Sequence, residues 1–294
     1  MKILLTGKNG QVGFELCRTL AVLGEVRAVG SKDCDFRDEQ AIRNLARAWQ
    51  PDVIVNPAAY TAVDKAEVDQ DAAEAVNTRA VAVLAEEAEQ LGALLVHFST
   101  DYVFDGEKHE PYIETDPTNP QSVYGMTKLA GEVAAQQHCS RVVILRTSWV
   151  VGAHGGNFLK TMLRLAGERD TLNVVSDQYG APTSAALLAE ITATVVERIA
   201  TDKAENLFGV YHATAGGVTN WHSYACHVIE RARTAGHVIR VAPNAIVPVP
   251  AVSYVTPAKR PTNSQLNTDK LRAHFGIQLP HWEEGVNAIL DKIL

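Results

Sequence analysis

Short apolar runs alternating with amphipathic stretches of helical length fill the first half of the chain, and that rhythm leaves few folds open to it. The runs are Lys2–Thr6, Glu25–Val29, Val53–Asn56, Leu94–Ser99 and Val142–Thr147. They are rich in Val, Ile and Leu and lack strict alternation, which is how strands buried on both faces read. Between them the periodicity predicts helices over Gln11–Leu23, Asp38–Trp49, Asp71–Leu91 and Val123–His138. Strand–helix–strand repetition predicts an α/β fold with a parallel, right-handed, doubly wound sheet.

After Thr147 the rhythm breaks. Gly152, Gly155 and Gly156 mark a loop, and Phe158–Gly167 reads as a helix. Leu172–Ser176 reads as a short strand, and Ala185–Ile199, Asn267–His274 and His281–Leu294 as helices. The stretch Pro243–Pro261 carries Pro243, Pro248, Pro250, Pro257 and Pro261 and reads as an ordered loop without a regular element. The expected division is a first domain over 1–147, completed by part of 178–213, and a smaller α/β lobe over 148–294. At 294 residues the chain is long enough for both.

Composition narrows the function classes. A net charge of −7 argues against a nucleic-acid or anionic-membrane partner. No apolar run approaches the roughly 18 residues of a membrane span, and the start MKILLTG is too short for a secretory leader. A cytoplasmic protein is expected. Cys17, Cys34, Cys139 and Cys226 form no C-x-x-C pair, and no H-E-x-x-H occurs, so no metal site is expected.

Three motifs carry chemistry. Gly7-Lys8-Asn9-Gly10-Gln11-Val12-Gly13 lies between the first strand and the first helix. Glycines there let a pyrophosphate approach the backbone at a helix N-terminus, although its spacing is G-x-x-G-x-x-G and turn chemistry alone also uses such glycines. Tyr124-Gly125-Met126-Thr127-Lys128 puts a phenol and an ammonium on one helical face, where the cation is expected to lower the phenol pKa. Such a tyrosine can hand a proton to a carbonyl oxygen. Ser99-Thr100-Asp101-Tyr102 stands at the C-terminal end of the fourth run, the sheet edge where ligands bind in open α/β folds.

Together with Asn56-Pro57-Ala58-Ala59-Tyr60, these motifs resemble the extended short-chain dehydrogenase/reductases. Ser99–Phe104, Arg146–Val150, Asp177–Thr183 and Arg260-Pro261-Thr262-Asn263-Ser264 are similar to the dTDP-4-dehydrorhamnose reductases within that family. The resemblance implies a Rossmann domain that binds NADPH or NADH, with a C-terminal sugar-nucleotide lobe. It further implies Tyr124 as general acid, Lys128 on the nicotinamide ribose and Thr100 on the C4 carbonyl. Gly7, Gly10, Gln11, Val12 and Gly13 would cradle the pyrophosphate. Asp35 and Phe36 would flank the adenine, and Ala58, Ala59 and Tyr60 would line the path to the nicotinamide. Thr100, Asp101 and Trp149 would contact a dTDP-sugar substrate, with Asn157, Arg260 and Asn263 as further contacts.

Two departures from the family shape the expectations. Some members end the second strand on an acidic residue, but here the run is Val29-Gly30-Ser31-Lys32. Ser31 and Lys32, or Arg27, are then expected to receive a 2′-phosphate, favouring NADPH. Some members bridge a dimer through Mg²⁺ held by glutamates. Only Glu15 of that set matches, so Mg²⁺ is not expected and the chain reads as a monomer or weak homodimer. Alternative readings are a reductase or epimerase on another nucleotide sugar, or a non-catalytic NADP-binding regulatory subunit.

Overall fold

The computed structural model describes residues 1–201 and 207–294. Its centre is a six-stranded, all-parallel sheet. From one edge the order is Gly209–His212, β5 (Val142–Thr147), β4 (Leu94–Thr100), β3 (Val53–Asn56), β1 (Lys2–Leu5) and β2 (Glu25–Ala28). β1, β3, β4 and β5 are buried almost throughout. β2 departs from the both-faces expectation. It is the outer strand, and its Glu25 and Arg27 stay exposed.

Each face carries its own core. On one side α1 (Gln11–Thr19) and the Ala185–Thr201 helix bury Leu16, Leu188 and Val195 against Ile3, Val55 and Val143. On the other side α2 (Glu39–Trp49) and the Ala80–Leu91 and Val123–His138 helices cover Leu4, Ile54, Leu95 and Ile144. α2 starts where Asp38 accepts a hydrogen bond from the Ala41 amide at 3.0 Å, a side-chain N-cap. The single helix expected over Asp71–Leu91 is instead Gln70–Glu74, a π turn at Ala75–Arg79, and Ala80–Leu91. The π turn sets the buried Asn77 facing the loop that follows β3.

Among the described residues, the second half holds a sheet strand and a helix that the sequence reading missed, and a strand that it excluded. Gly209–His212 adds the sixth strand beside β5. Residues 202–206, inside the 178–213 stretch expected to complete the first domain, lie outside the described residues. Trp221–Thr234 is a helix capped by Asn220, whose side chain accepts from the Ser223 amide at 2.8 Å. The proline-rich stretch is not wholly irregular. Ile246–Val249 is a strand paired in parallel with Leu172–Val175. Pro248 is tolerated there because the two-stranded ribbon has outer edges that need no donor. No helix among the described residues is long and apolar enough to cross a membrane.

Candidate active site

A cleft of about 990 Å³ runs along the C-terminal edge of the sheet, where the β1, β3, β4 and β5 strands hand over to their loops. At one end the β1–α1 turn forms its wall. Gly7 has φ +60°, and a Cβ there would lie 2.9 Å from the Ala58 Cα. A Cβ on Gly13 would lie 2.1 Å from the Gly7 carbonyl oxygen, so α1 can pack this close only on glycine. Gly10 is different. A Cβ would meet only the Gly7 oxygen, at 3.4 Å, so the protein itself does not demand glycine there. Gly10 caps α1 without a side-chain bond, leaving the amides of the first turn for an anion.

At the other end stand Thr100, Tyr124 and Lys128, all lining the cleft. Thr100 closes β4, and its hydroxyl donates to Asp101 Oδ1 at 3.0 Å and accepts from the Tyr102 amide at 3.2 Å. Tyr124 and Lys128 project from one face of the Val123–His138 helix, which begins where Ser122 Oγ accepts from the Gly125 amide at 3.2 Å. A Cβ at Gly125 would lie 2.2 Å from the Tyr102 carbonyl oxygen, so this helix start is pressed onto the turn after β4. That close packing is what sets Tyr124 beside Thr100.

The electrostatics correct one expectation. Burial pushes the Tyr124 phenol up to about 12, with the Thr100 hydroxyl opposing it, so the ring is not a lowered-pKa phenolate. Burial lowers Lys128 to about 8, partly opposed by Glu132. Burial raises Asp101 to about 6, although its carboxylate accepts from Ser264 Oγ and Thr100 Oγ1. The site is therefore a protonated phenol beside a cation that titrates near neutrality. The hydroxyls of Ser99, Thr147 and Ser148 are also buried along this cleft without a protein partner. Unpaired buried hydroxyls cost free energy, so they suit a polar ligand group.

The structure brings most of the expected site residues to this cleft. Gly7, Gly10, Gln11, Val12, Gly13, Ser31, Asp35, Phe36, Ala58, Ala59, Tyr60, Asp101 and Trp149 all line it. Lys32 does not. It is exposed, whereas Arg37 lines the cleft, held by Asp35 with Nη2–Oδ2 at 2.7 Å. Arg27 packs over the Trp49 ring instead.

Three expected substrate contacts also stand back from the lining. Asn157 caps the Phe158–Glu168 helix and donates to Gln11 Oε1 at 2.9 Å, so it steadies a cleft residue. Arg260 is paired with Asp64, Nη2–Oδ2 2.7 Å. Asn263 spends its amide on the Lys108 and Glu110 carbonyls at 2.8 and 2.9 Å, which ties down a loop.

Trp149 has φ +49°, a left-handed backbone rare for a bulky residue and frequent at functional sites. Its ring stacks on Trp221 with centroids 3.6 Å apart. A Cβ at Gly180 would lie 2.8 Å from Trp149 Cε2, so the ring packs closely on bare backbone there. Trp149→Ala is expected to raise KM for a bound sugar nucleotide far more than KM for the cofactor. Equal increases, with a fall in Tm, would make the ring a packing element only.

Sequence reasoning missed three residues. Arg37 lay one position beyond the residues considered for the adenine end. Asn77 accepts from the Tyr60 amide at 2.8 Å and donates to the Tyr60 carbonyl at 3.1 Å, fixing the loop after β3. His97 sits beneath Lys128, with Nε2 3.3 Å from Nζ. No local pattern marks Asn77 or His97; both acquire their roles from contacts distant in sequence. Among the described residues no group of three His, Cys, Asp or Glu side chains is placed to hold a metal ion.

Comparison with known proteins fits this geometry. The family model described as "RmlD substrate binding domain" matches residues 1–294. The chain is 51% identical over 297 residues to a dTDP-4-dehydrorhamnose reductase of Salmonella typhimurium, covering 100% of this chain and 98% of that one. It is 50% identical to the enzyme of that name from Shigella flexneri, with the same coverage. Among solved structures, the dTDP-4-dehydrorhamnose reductase of Clostridium acetobutylicum superposes with a TM-score of 0.91 at 37% identity, covering 100% and 99% of the two chains. That of Bacillus anthracis, solved in complex with NADP, gives 0.90 at 32% identity and covers 99% of each. Matched from end to end by one family model and about half identical to these two curated enzymes, the chain belongs to the RmlD substrate-binding-domain family.

Proposed function

We propose that the chain catalyses the NADPH- or NADH-dependent reduction of the C4 ketone of dTDP-4-dehydro-β-L-rhamnose to dTDP-β-L-rhamnose, with NADPH favoured. The observation that carries this reading is the meeting of Thr100, Tyr124 and Lys128 in one cleft whose far end is the Gly7–Gly13 turn. In this reading residues 1–147, with part of 178–213, hold the cofactor, and 148–294 hold the sugar nucleotide.

The cleft fits a dinucleotide. Its open Gly10 position and uncapped α1 amides suit a pyrophosphate, and the unpartnered Ser99, Thr147 and Ser148 hydroxyls suit a polar ring substituent. When bound, the nicotinamide cofactor supplies a hydride to the substrate C4. The chain's own work is proton transfer and positioning. Thr100 orients the carbonyl oxygen, and the Tyr124 phenol donates its proton to that oxygen as negative charge develops. Burial keeps Tyr124 protonated until the oxygen is basic enough to take the proton. Lys128 on the same helix face then stabilises the phenolate left behind.

Cofactor choice rests on Arg37 in place of Lys32. Arg37 is exposed and already engaged by Asp35, which the guanidinium holds at about 2, so a 2′-phosphate must share the cation. Arg37→Ala is expected to weaken NADPH roughly three- to tenfold and to spare NADH, whereas Lys32→Ala leaves both unchanged. Fluorescence titration of each cofactor checks this, and equal weakening of both in Arg37→Ala would remove Arg37 from the phosphate site. The function itself is tested by NADPH consumption with enzymatically made dTDP-4-dehydrorhamnose. Steady oxidation supports it, and none over background overturns it.

A further inference from the structure

A row of buried polar side chains crosses the sheet beneath the cleft and ends at Lys128. It starts at the Ala58 amide, which donates to Thr6 Oγ1 at 3.3 Å. Thr6 Oγ1 lies 2.6 Å from Asn56 Oδ1, and Asn56 Nδ2 lies 3.1 Å from His97 Nδ1. His97 Nε2 lies 3.3 Å from Lys128 Nζ, which also donates to the Phe98 carbonyl at 2.5 Å. Thr6, Asn56 and His97 are at most 1% exposed; Thr6 follows β1, and Asn56 and His97 lie in direct register on β3 and β4. The residues flanking the row on β1, β3 and β4, namely Leu5, Val55, Val96 and Phe98, are apolar. Three buried polar groups in line cost free energy unless every atom is paired, and a paired row of this kind is sensitive to any change at its end.

The His97 ring has two arrangements with both nitrogens paired, the first of which costs the Thr6 hydroxyl its Asn56 acceptor. With Lys128 as an ammonium, Nζ donates to His97 Nε2, and Nδ1–H donates to the Asn56 carbonyl with its amide turned over. With Lys128 as a neutral amine, Nε2–H donates to Nζ, and the Asn56 amide donates to Nδ1. Neither leaves a ring nitrogen or an amide atom of Asn56 unpaired.

We propose that His97 is a positioning residue that holds Lys128 through both of its protonation states, the imidazole changing from acceptor to donor as the lysine loses its proton. The inference rests on the reductase reading, in which Lys128 must stay beside Tyr124 while the phenol loses and regains a proton. His97 is suited to this because burial and the Lys128 charge hold the ring neutral, its pKa well below the ordinary histidine value. The other titratable group acting on Lys128 is Glu132 on its own helix, and Tyr124, one turn earlier, lines the same cleft. Glu132 is paired with Arg146 of β5, and Asp101 lies beyond Tyr124.

Two measurements test it. In the ¹⁵N-histidine-labelled chain, long-range proton–nitrogen correlation reads the His97 tautomer as pH is raised through the Lys128 titration. The expected result is a neutral ring that passes from Nδ1–H to Nε2–H, and a single tautomer throughout in Lys128→Met. One unchanging tautomer in the wild-type chain, or a ring that protonates, overturns the proposal. In kinetics, His97→Leu is expected to lower kcat about 10- to 100-fold and to move the alkaline limb of the profile to lower pH, with both KM values nearly unchanged. His97→Gln, which keeps an amide acceptor and donor, is expected to recover most of the loss. A kcat within twofold of wild type and an unmoved alkaline limb in folded His97→Leu would also overturn it. Absence of turnover in the wild type, with the tautomer change present, would sink the reductase reading and leave the His97–Lys128 coupling supported.

Discussion

Tyr124→Phe is expected to lower kcat by about 10²–10⁴-fold while leaving cofactor affinity nearly intact. The substitution removes the phenol proton and keeps a ring of the same shape at the start of the Val123–His138 helix. The partners that hold this helix, Ser122 at its cap and Gly125 against Tyr102, are untouched. Lys128 keeps its Phe98 and His97 contacts. Cofactor titration and stopped-flow turnover on the same preparation separate the two effects. Activity within a factor of two of wild type would remove Tyr124 from the proton-donor role.

Arg146→Met is expected to destabilise the fold by about 3–5 kcal/mol, the usual cost of stranding one member of a buried ion pair. Arg146 grips Glu132 through Nε–Oε1 at 2.9 Å and Nη2–Oε2 at 2.6 Å, with side-chain exposures of 5% and 2%. Its guanidinium also lies 5.1 Å over the Phe104 ring. Removing it leaves the Glu132 carboxylate buried without a partner, one helical turn from Lys128. Arg146→Met combined with Glu132→Leu is expected to recover most of the loss, because an apolar pair of similar volume avoids the desolvation. Urea unfolding of both variants checks this. A loss below about 1 kcal/mol in the single variant would mean that solvent reaches Glu132.

The parts of this molecule that could be read from sequence are those whose cause is local. β3 and β5 announce themselves because a strand buried on both faces must be continuously apolar. The Gly7–Gly13 turn is legible because positive φ and close helix packing both require glycine at fixed spacing. Gly209–His212 was missed because four residues opening on glycine make too short a run to read, although Val and Tyr favour strands. It becomes a strand by pairing with β5 and burying Tyr211. The Trp221–Thr234 helix did carry a signal, the Asn220 cap followed by buried Tyr224, Ala225, Val228 and Ile229 at helical spacing.

In the site, Tyr124 and Lys128 could be paired from their i, i+4 spacing alone. Asn157, Arg260 and Asn263 could not be placed that way. A polar residue in a motif looks the same whether it meets a ligand or, as with Asn263, the carbonyls of a neighbouring loop. The same blindness hid His97, a histidine inside a strand whose partners come from β3 and from a helix in the next crossover.

The central claim is that this cleft carries a hydride to C4 of a dTDP-4-keto sugar while Tyr124 supplies the proton. Its most direct test is turnover of dTDP-4-dehydrorhamnose with NADPH deuterated at the transferring position, followed by mass spectrometry and proton NMR of the product. The account predicts dTDP-β-L-rhamnose with one deuterium, located at C4, and label transfer slowed about 10²–10⁴-fold in Tyr124→Phe. Product without deuterium at C4, a different sugar configuration, or undiminished transfer in Tyr124→Phe would contradict it.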